Sequence, residues 1–117
     1  MHGFIDLVVR QNGQYFIVDY KSNLLGTTLD SYKQDSLQVA IQSHRYDLQY
    51  LIYTVALHRY LRTTVPGYQY SEHFGGVYYL FLRGIREHRQ TGIWFDKPAE
   101  SIVAALDTLF GLSLIHI

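Results

Sequence analysis

Two aspartates and a lysine interrupt two otherwise apolar stretches near the start of the chain, Asp6 in the first and Asp19 and Lys21 in the second. Between them, Asn12-Gly13 is a strong hairpin signal, because both central residues of a type I′ turn need positive φ. We therefore predict antiparallel strands over 3–10 and 15–22. With a two-residue turn the numbers of opposed positions sum to 25, so Asp6 faces Asp19 across the hairpin.

The alternation of side chains along a strand places Asp6, Asp19 and Lys21 on one face of this hairpin. The opposite face is wholly apolar, and we expect it to be the core. A register slip of one residue would separate the two aspartates, so the pairing depends on the turn.

Directly opposed carboxylates repel one another, and the sequence leaves three ways to relieve this. In the first, one carboxyl is kept protonated by its neighbour, as in acid/base dyads. In the second, a hard divalent cation, Mg²⁺ or Mn²⁺, lies between the two carboxylates. In the third, Lys21 bridges the two carboxylates in a purely structural cluster. An ammonium on the same face favours the cation, because it can orient a water and balance the charge that develops on a phosphate.

A second set of candidate site residues lies on the helix predicted to begin at Tyr46. Gln49 and Tyr53 are four residues apart and so share a face, where an amide and a phenol could bind a phosphate oxygen, a water or a base edge. Such a pair is also common at an ordinary boundary between core and solvent. Further basic residues could form a stripe that contacts a DNA backbone, or simply a solvated face: Arg45, Arg59 and Arg62.

The elements that must position these residues follow from periodicity and turn signals. We predict a loop over 24–32, a turn-rich connection over 63–71 and a charged loop over 84–91. The remaining elements are helices at 33–43, 46–62 and 98–110 and strands at 76–83 and 92–95. The order β-β-α-α-β-β-α predicts an α/β (α+β) fold, with a mixed sheet and helices packed on it.

Bulk composition narrows the possible functions. The 117 residues suit one domain, and the absence of cysteine excludes disulfides and thiolate metal sites. Nothing resembles a signal peptide or membrane span, so we expect a cytoplasmic protein without membrane contact. The formal charge of zero means that the chain either does not bind nucleic acid or relies on a partner for basic surface.

Four stretches together carry a family resemblance: GFIDLV, VDYKSN, YDLQYLIYTVALHRYL and FGGVYYLFLRG. Over residues 3–110 the chain resembles the RecB-type nucleases, bacterial members of the PD-(D/E)XK superfamily of metal-dependent nucleases. The resemblance implies a restriction-endonuclease-like mixed central β-sheet flanked by helices. It implies that Asp6, Asp19 and the backbone carbonyl of Tyr20 bind metal, that Lys21 is the catalytic lysine, and that the Gln49 and Tyr53 signature lies close to the active site.

The resemblance also implies a reaction and its partners. We expect Mg²⁺, or Mn²⁺ as a substitute, to support exodeoxyribonuclease cleavage at single- and double-stranded DNA ends. In the family this cleavage is coupled to ATP-dependent unwinding in double-strand break repair and recombination, with RecC- and RecD-like subunits. This chain contains no phosphate-binding loop for ATP.

Departures from the family pattern keep other hypotheses open. The family has a histidine-bearing helical segment before its first aspartate, and a helicase region in the parent chain. We expect 1–117 to be a single, partial nuclease domain without either. A catalytically silent module for protein docking or DNA holding is therefore an alternative, and a nuclease-fold protein of another DNA- or RNA-processing system is a third.

Overall fold

The computed structural model describes residues 7–115, with side chains described up to residue 111. A four-stranded sheet has the order β1-β2-β3-β4. Its strands are β1 (Leu7–Gln11), β2 (Gln14–Lys21), β3 (Phe74–Phe81) and β4 (Ile93–Asp96). The helices are α1 (Gln34–Ser43), α2 (Tyr46–Thr64), the short α3 (Tyr70–His73) and α4 (Glu100–Ile115). This confirms the predicted mixed α+β architecture and adds only α3 to the predicted helices.

The hairpin has the predicted turn and register. Asn12 has a φ of 53° and Gly13 a φ of 77°, as a type I′ turn requires. The Cα partners run from Gln11 and Gln14 beside the turn to Leu7 and Val18, so opposed numbers sum to 25 as expected. Asp6 lies outside the described residues, and its pairing with Asp19 stays a prediction.

The face of the hairpin that is buried differs from our expectation. Ile17 and Asp19 are 0% and 3% exposed, whereas Leu7 and Tyr20 on the wholly apolar face are 42% and 45% exposed. Val18 on the apolar face is buried, at 9% exposed, but both core clusters lie on the face of Ile17, so the prediction that the apolar face is the core was wrong. Both faces carry enough apolar side chains to pack, and the described helices lie on the face that holds Asp19.

Two clusters of buried side chains hold the helices on this face. The first joins β2 and β3 to α2, α3 and α4, and contains Ile17, Tyr53, Val55, Leu57, Leu61, Tyr70, Phe74, Val77 and Val103. The second joins β3 and β4 to α1, and contains Tyr32, Leu37, Ala40, Ile41, Tyr79, Phe81 and Trp94. Burial of these side chains supplies the main driving force for docking the helices on the sheet.

The central pair of strands is parallel. In β2 and β3, Asp19 is paired with Tyr79 and Lys21 with Phe81, so the carboxyl ends of both strands reach the same edge of the sheet. The other two ladders are antiparallel. The connection between β2 and β3 contains α1, α2 and α3, as a parallel pair requires a long crossover.

Element boundaries depart from the prediction by a few residues. β3 begins at Phe74 and ends at Phe81, because Leu82–Gly84 turns into a 3₁₀ helix. Another 3₁₀ turn, Leu29–Tyr32, lies within the predicted loop over 24–32. α4 begins two residues after Pro98 and continues to Ile115. Among residues 7–115, no helix is both long and apolar enough to cross a membrane.

The hairpin turn makes a stability prediction. A Cβ added at Gly13 meets no atom within 4 Å, so Gly13→Ala tests backbone strain without a clash. Because a non-glycine residue at this positive φ costs about 1–2 kcal/mol, we expect the free energy of unfolding to fall by that amount in urea titrations. Asn12→Gly keeps a residue that adopts positive φ freely, and should stay close to wild type. Equal losses in both variants would contradict the turn assignment.

Candidate active site

Lys21 is the centre of a buried polar cluster at the carboxyl end of β2. Its Nζ lies 2.6 Å from Asp19 Oδ2 and donates to Gln49 Oε1 at 3.0 Å. The side chains of Lys21 and Asp19 are only 12% and 5% exposed. The ammonium is therefore held by a carboxylate from its own strand and an amide oxygen from α2.

Local structure explains how the four predicted site residues meet. Residues 19 and 21 are two apart on β2, so both side chains lie on the helix-covered face of the sheet. Gln49 and Tyr53 share a face of α2, and Gln49 Nε2 donates to Tyr53 Oη at 3.1 Å. The structure thus brings together four predicted site residues that come from two elements far apart in the sequence.

Tyr79 of β3 is a site residue that sequence reasoning missed. Its hydroxyl donates to Gln49 Oε1 at 2.8 Å and also lies 3.1 Å from the carbonyl oxygen of Tyr46. Burial, and then the charge of Asp19, raise the pKa of the Tyr79 phenol well above its ordinary value, which keeps it a donor. Its sequence context, an apolar strand, identified it only as a core residue.

These contacts fix which way the Gln49 amide points. Its oxygen accepts from both Lys21 and Tyr79, and its nitrogen donates to Tyr53. A flipped amide would place its NH₂ group, which can only donate, against the Lys21 ammonium, which also can only donate. Tyr79 adds a second donor to the same amide oxygen, and that oxygen in turn positions the ammonium of Lys21.

Tyr46, at the start of α2, covers the same ammonium. Lys21 Nζ lies 4.0 Å from the Tyr46 ring centroid and 5.1 Å from that of Tyr79, distances at which a ring face attracts a cation. Asn23 Nδ2 donates to Tyr46 Oη at 3.0 Å, which anchors the ring. Tyr46 and Asn23 lay in the stretches that carried the family resemblance, but no residue pattern gave either one a role.

The described residues supply part of a hard-oxygen metal site. The Asp19 carboxylate is an oxygen ligand of the kind that Mg²⁺ prefers. Tyr20 lies between Asp19 and Lys21 with its side chain on the opposite face, and the role of its carbonyl stays a prediction. Within residues 7–115 there is no group of three or more His, Cys, Asp or Glu side chains that could hold a metal. The second predicted carboxylate, Asp6, falls outside that range.

The three arginines predicted to contact DNA are not brought together. Arg59 and Arg62 both bind Asp107 of α4, whereas Arg45 is exposed in a left-handed conformation immediately before α2. Ten residues of helix separate Arg59 from Gln49, or about 15 Å at the rise of an α-helix. Arg59 and Arg62 thus fasten α2 to α4, and only Arg45 is close in sequence to the site.

Two histidines, His44 just before α2 and His58 within it, have different environments. His44 is exposed and stacks on Tyr46 with ring centroids 5.2 Å apart. His58 is partly buried, and its Nδ1 lies 2.8 Å from Tyr68 Oη. Burial, and then the charge of Arg62, lower the pKa of His58. This pair packs against the first core cluster and not against Lys21.

Comparison with known proteins identifies a family and several relatives. The family model described as the PD-(D/E)XK nuclease superfamily matches residues 1–108. The chain is 52% identical over 116 residues to the RecBCD enzyme subunit RecB of Escherichia coli (strain K12), covering 97% of this chain and 10% of that protein. It is 52% identical over 110 residues to the RecBCD enzyme subunit RecB of Haemophilus influenzae, covering 94% and 9%.

A more distant relative extends the similarity. The RecBCD enzyme subunit RecB of Mycobacterium tuberculosis (strain H37Rv) is 40% identical over 115 residues, covering 92% of this chain and 10% of that protein. The chain thus spans about a tenth of the length of the curated relatives it matches.

The role of Tyr79 can be tested by removing one oxygen. Tyr79→Phe deletes a buried hydroxyl, and so should lower the free energy of unfolding by about 1–3 kcal/mol. It should also shift the NMR signals of the Gln49 side-chain NH₂ group, because the amide loses one of the contacts that orient it. The matched control is Tyr70→Phe, since the buried Tyr70 hydroxyl donates to the Pro98 carbonyl elsewhere in the core.

The control separates positioning from general destabilisation. Tyr70→Phe should cost similar stability and leave the Gln49 amide signals in place. Unchanged Gln49 signals in Tyr79→Phe, or equal shifts in both variants, would contradict the positioning role.

Proposed function

The chain belongs to the PD-(D/E)XK nuclease superfamily, and from this premise we propose that it is a divalent-metal-dependent nuclease domain that hydrolyses phosphodiester bonds in DNA. The observation that carries the proposal is the position of Lys21, 2.6 Å from Asp19 and 3.0 Å from Gln49. A buried lysine beside a carboxylate, at the end of a strand, is the arrangement that this chemistry needs.

The groups proposed to hold the metal all present oxygen atoms. They are the carboxylates of Asp19 and Asp6 and the backbone carbonyl of Tyr20. A bound Mg²⁺ or Mn²⁺ ion would polarise the phosphodiester and lower the pKa of a coordinated water.

The protein side chains have separate tasks in this proposal. Lys21 orients the attacking water and balances the negative charge that grows on the phosphate during attack. Gln49, held by Tyr79 and Tyr53, keeps the ammonium at one place. The Tyr46 ring limits the motion of the same group and covers it from solvent.

The relatives suggest a biological setting for this reaction. We propose that the chain acts as the nuclease domain of a RecB subunit, the beta chain of exodeoxyribonuclease V, with RecC- and RecD-like partners. Its substrates would be DNA ends produced by ATP-driven unwinding in double-strand break repair and recombination. The basis is the 52% identity to two subunits of the RecBCD enzyme.

The first test is metal-dependent cleavage with one carboxylate removed. We expect the chain to degrade linear single- or double-stranded DNA with Mg²⁺ or Mn²⁺, and EDTA to abolish the activity. Asp19→Asn keeps the side-chain volume and removes the charge, so it should lower the cleavage rate at least about 100-fold. Asp35→Asn, an exposed aspartate in the first turn of α1, is the matched control and should retain the wild-type rate.

The outcomes distinguish the proposal from its alternative. Metal-dependent cleavage that survives Asp19→Asn would contradict the assigned site. A wild-type chain that binds DNA and does not cleave it with either metal would support a DNA-holding module instead.

Metal binding can be tested without catalysis. We expect Mn²⁺ to broaden the backbone amide NMR signals of residues 19–21 and the side-chain amide signals of Gln49, because paramagnetic relaxation falls steeply with distance. Excess Mg²⁺ should restore these signals, and Asp19→Asn should prevent the broadening. Broadening centred on other carboxylates, such as Asp30 or Asp107, would place the metal elsewhere and contradict the assignment.

A further inference from the structure

A cavity of about 380 Å³ opens at the edge of the sheet where β2 and β3 end. One wall is the loop that follows Lys21 and includes Thr27 and Thr28. The other wall carries Arg83 and Arg86, in the turn that follows β3. Two arginines and two threonines therefore line one concave surface, together with the apolar residues Leu24 and Leu29.

The cavity adjoins the candidate active site through the backbone. Arg83 Nε donates to the carbonyl oxygen of Ser22 at 2.8 Å, and Ser22 directly follows Lys21. Because β2 and β3 are parallel and Lys21 is paired with Phe81, the segments that follow both strands emerge side by side. Crevices outside the carboxyl ends of parallel strands are the usual ligand sites of open α/β sheets.

The lining is basic without a compensating acid. Among the described residues, no carboxylate lines this cavity. The nearest acidic residues in sequence have contacts of their own: Asp30 with Lys33 at 3.1 Å, and Glu87 with His88 at 3.2 Å. A guanidinium has five N–H donors in a fork that matches phosphate oxygens. The bond to Ser22 occupies Nε of Arg83, and Nη1 of Arg86 donates to the carbonyl oxygens of Arg83 and Ile85, so each guanidinium keeps further N–H donors.

Tyr32 holds the two walls in place. Its hydroxyl accepts from the Leu25 backbone N–H at 3.1 Å, and its carbonyl accepts from the Gly92 N–H at 2.9 Å. Gly84 packs so closely that a Cβ there would lie 2.2 Å from the Tyr32 ring. The loop after β2 and the turn after β3 are thereby tied to one buried side chain, which fixes the cavity before any ligand arrives.

We propose that this cavity binds a backbone phosphate of the DNA strand next to the one being cleaved, through Arg83 and Arg86 with the hydroxyls of Thr27 and Thr28. This inference rests on the proposed function, since it supplies the substrate-holding surface of the same site. A site of this kind would let a chain with no net charge bind DNA, because phosphate contacts depend on where basic groups cluster.

The test uses the full chain in EDTA, so that binding is separated from cleavage. A short oligothymidylate is titrated into protein labelled for NMR, and the arginine Nε–Hε signals are followed. We expect the Arg83 and Arg86 signals to shift, and that of Arg89, in the same turn but outside the cavity lining, to stay in place. Inorganic phosphate is titrated in parallel to show whether an isolated phosphate occupies the same groups.

Variants and salt dependence give the second readout. In Arg83→Gln/Arg86→Gln the slope of log binding constant against log salt should become shallower by about 0.7, since the cavity is proposed to hold one phosphate and each phosphate contact to a single strand contributes about 0.7. Arg89→Gln should leave the slope unchanged. The proposal would be overturned if Arg89→Gln changed the slope as much as Arg83→Gln/Arg86→Gln does. It would also be overturned if oligothymidylate bound and left the Arg83 and Arg86 signals in place.

The phosphate site and the nuclease function can fail independently of each other. Loss of metal-dependent cleavage in Asp19→Asn, with the arginine shifts intact, supports both. Arginine shifts in a chain that never cleaves DNA support the phosphate site and contradict the nuclease assignment. Cleavage that is unaffected in Arg83→Gln/Arg86→Gln, without arginine shifts, supports the nuclease and overturns the phosphate site.

Discussion

The constraint on which the site depends is that a buried ammonium needs partners from several directions. Removing a charge from water is costly unless hydrogen bonds and an opposite charge replace the lost hydration. Lys21 obtains a carboxylate from Asp19, an amide oxygen from Gln49 and a ring face from Tyr46. These partners come from a strand and a helix, so the ammonium is placed only when both have docked.

The docking of α2 on the sheet therefore serves packing and chemistry together. One side of the helix carries Tyr53, Leu57 and Leu61 at four-residue spacing, and all three are buried in the first core cluster. Gln49, one turn before Tyr53, continues that side toward Lys21. At the far end, Asp107 binds Arg59 and Arg62 and fastens the helix to α4. The spacing of the same arginines predicted a DNA-binding stripe; the structure shows that they also hold the helix in position, and their contact with DNA stays a prediction.

Sequence reasoning succeeded where the governing interaction is local, and it failed where the partner is distant. The Asn12-Gly13 turn sets the hairpin register, and helical spacing puts Gln49 beside Tyr53, so both could be predicted. The parallel register of β2 and β3 depends on a crossover of about fifty residues, and no short motif encodes it. That register pairs Asp19 with Tyr79, which is why Tyr79 was not recognised. The buried face was misjudged for the same reason, because helix docking decides it.

A neutral chain can still present a strongly basic surface when its charges are distributed unevenly. Asp107 pairs with both Arg59 and Arg62, and Asp19 pairs with Lys21, so part of this positive charge is balanced within the protein. Arg83 and Arg86 instead line a cavity that has no carboxylate among its described residues, next to the strand end that carries Lys21. The net charge of zero, which in the sequence argued against nucleic-acid binding, therefore does not show where the basic side chains lie. Lys21, Arg59 and Arg62 have acidic partners, whereas Arg83 and Arg86 are bonded to backbone carbonyls and are the arginines that we propose to bind a phosphate.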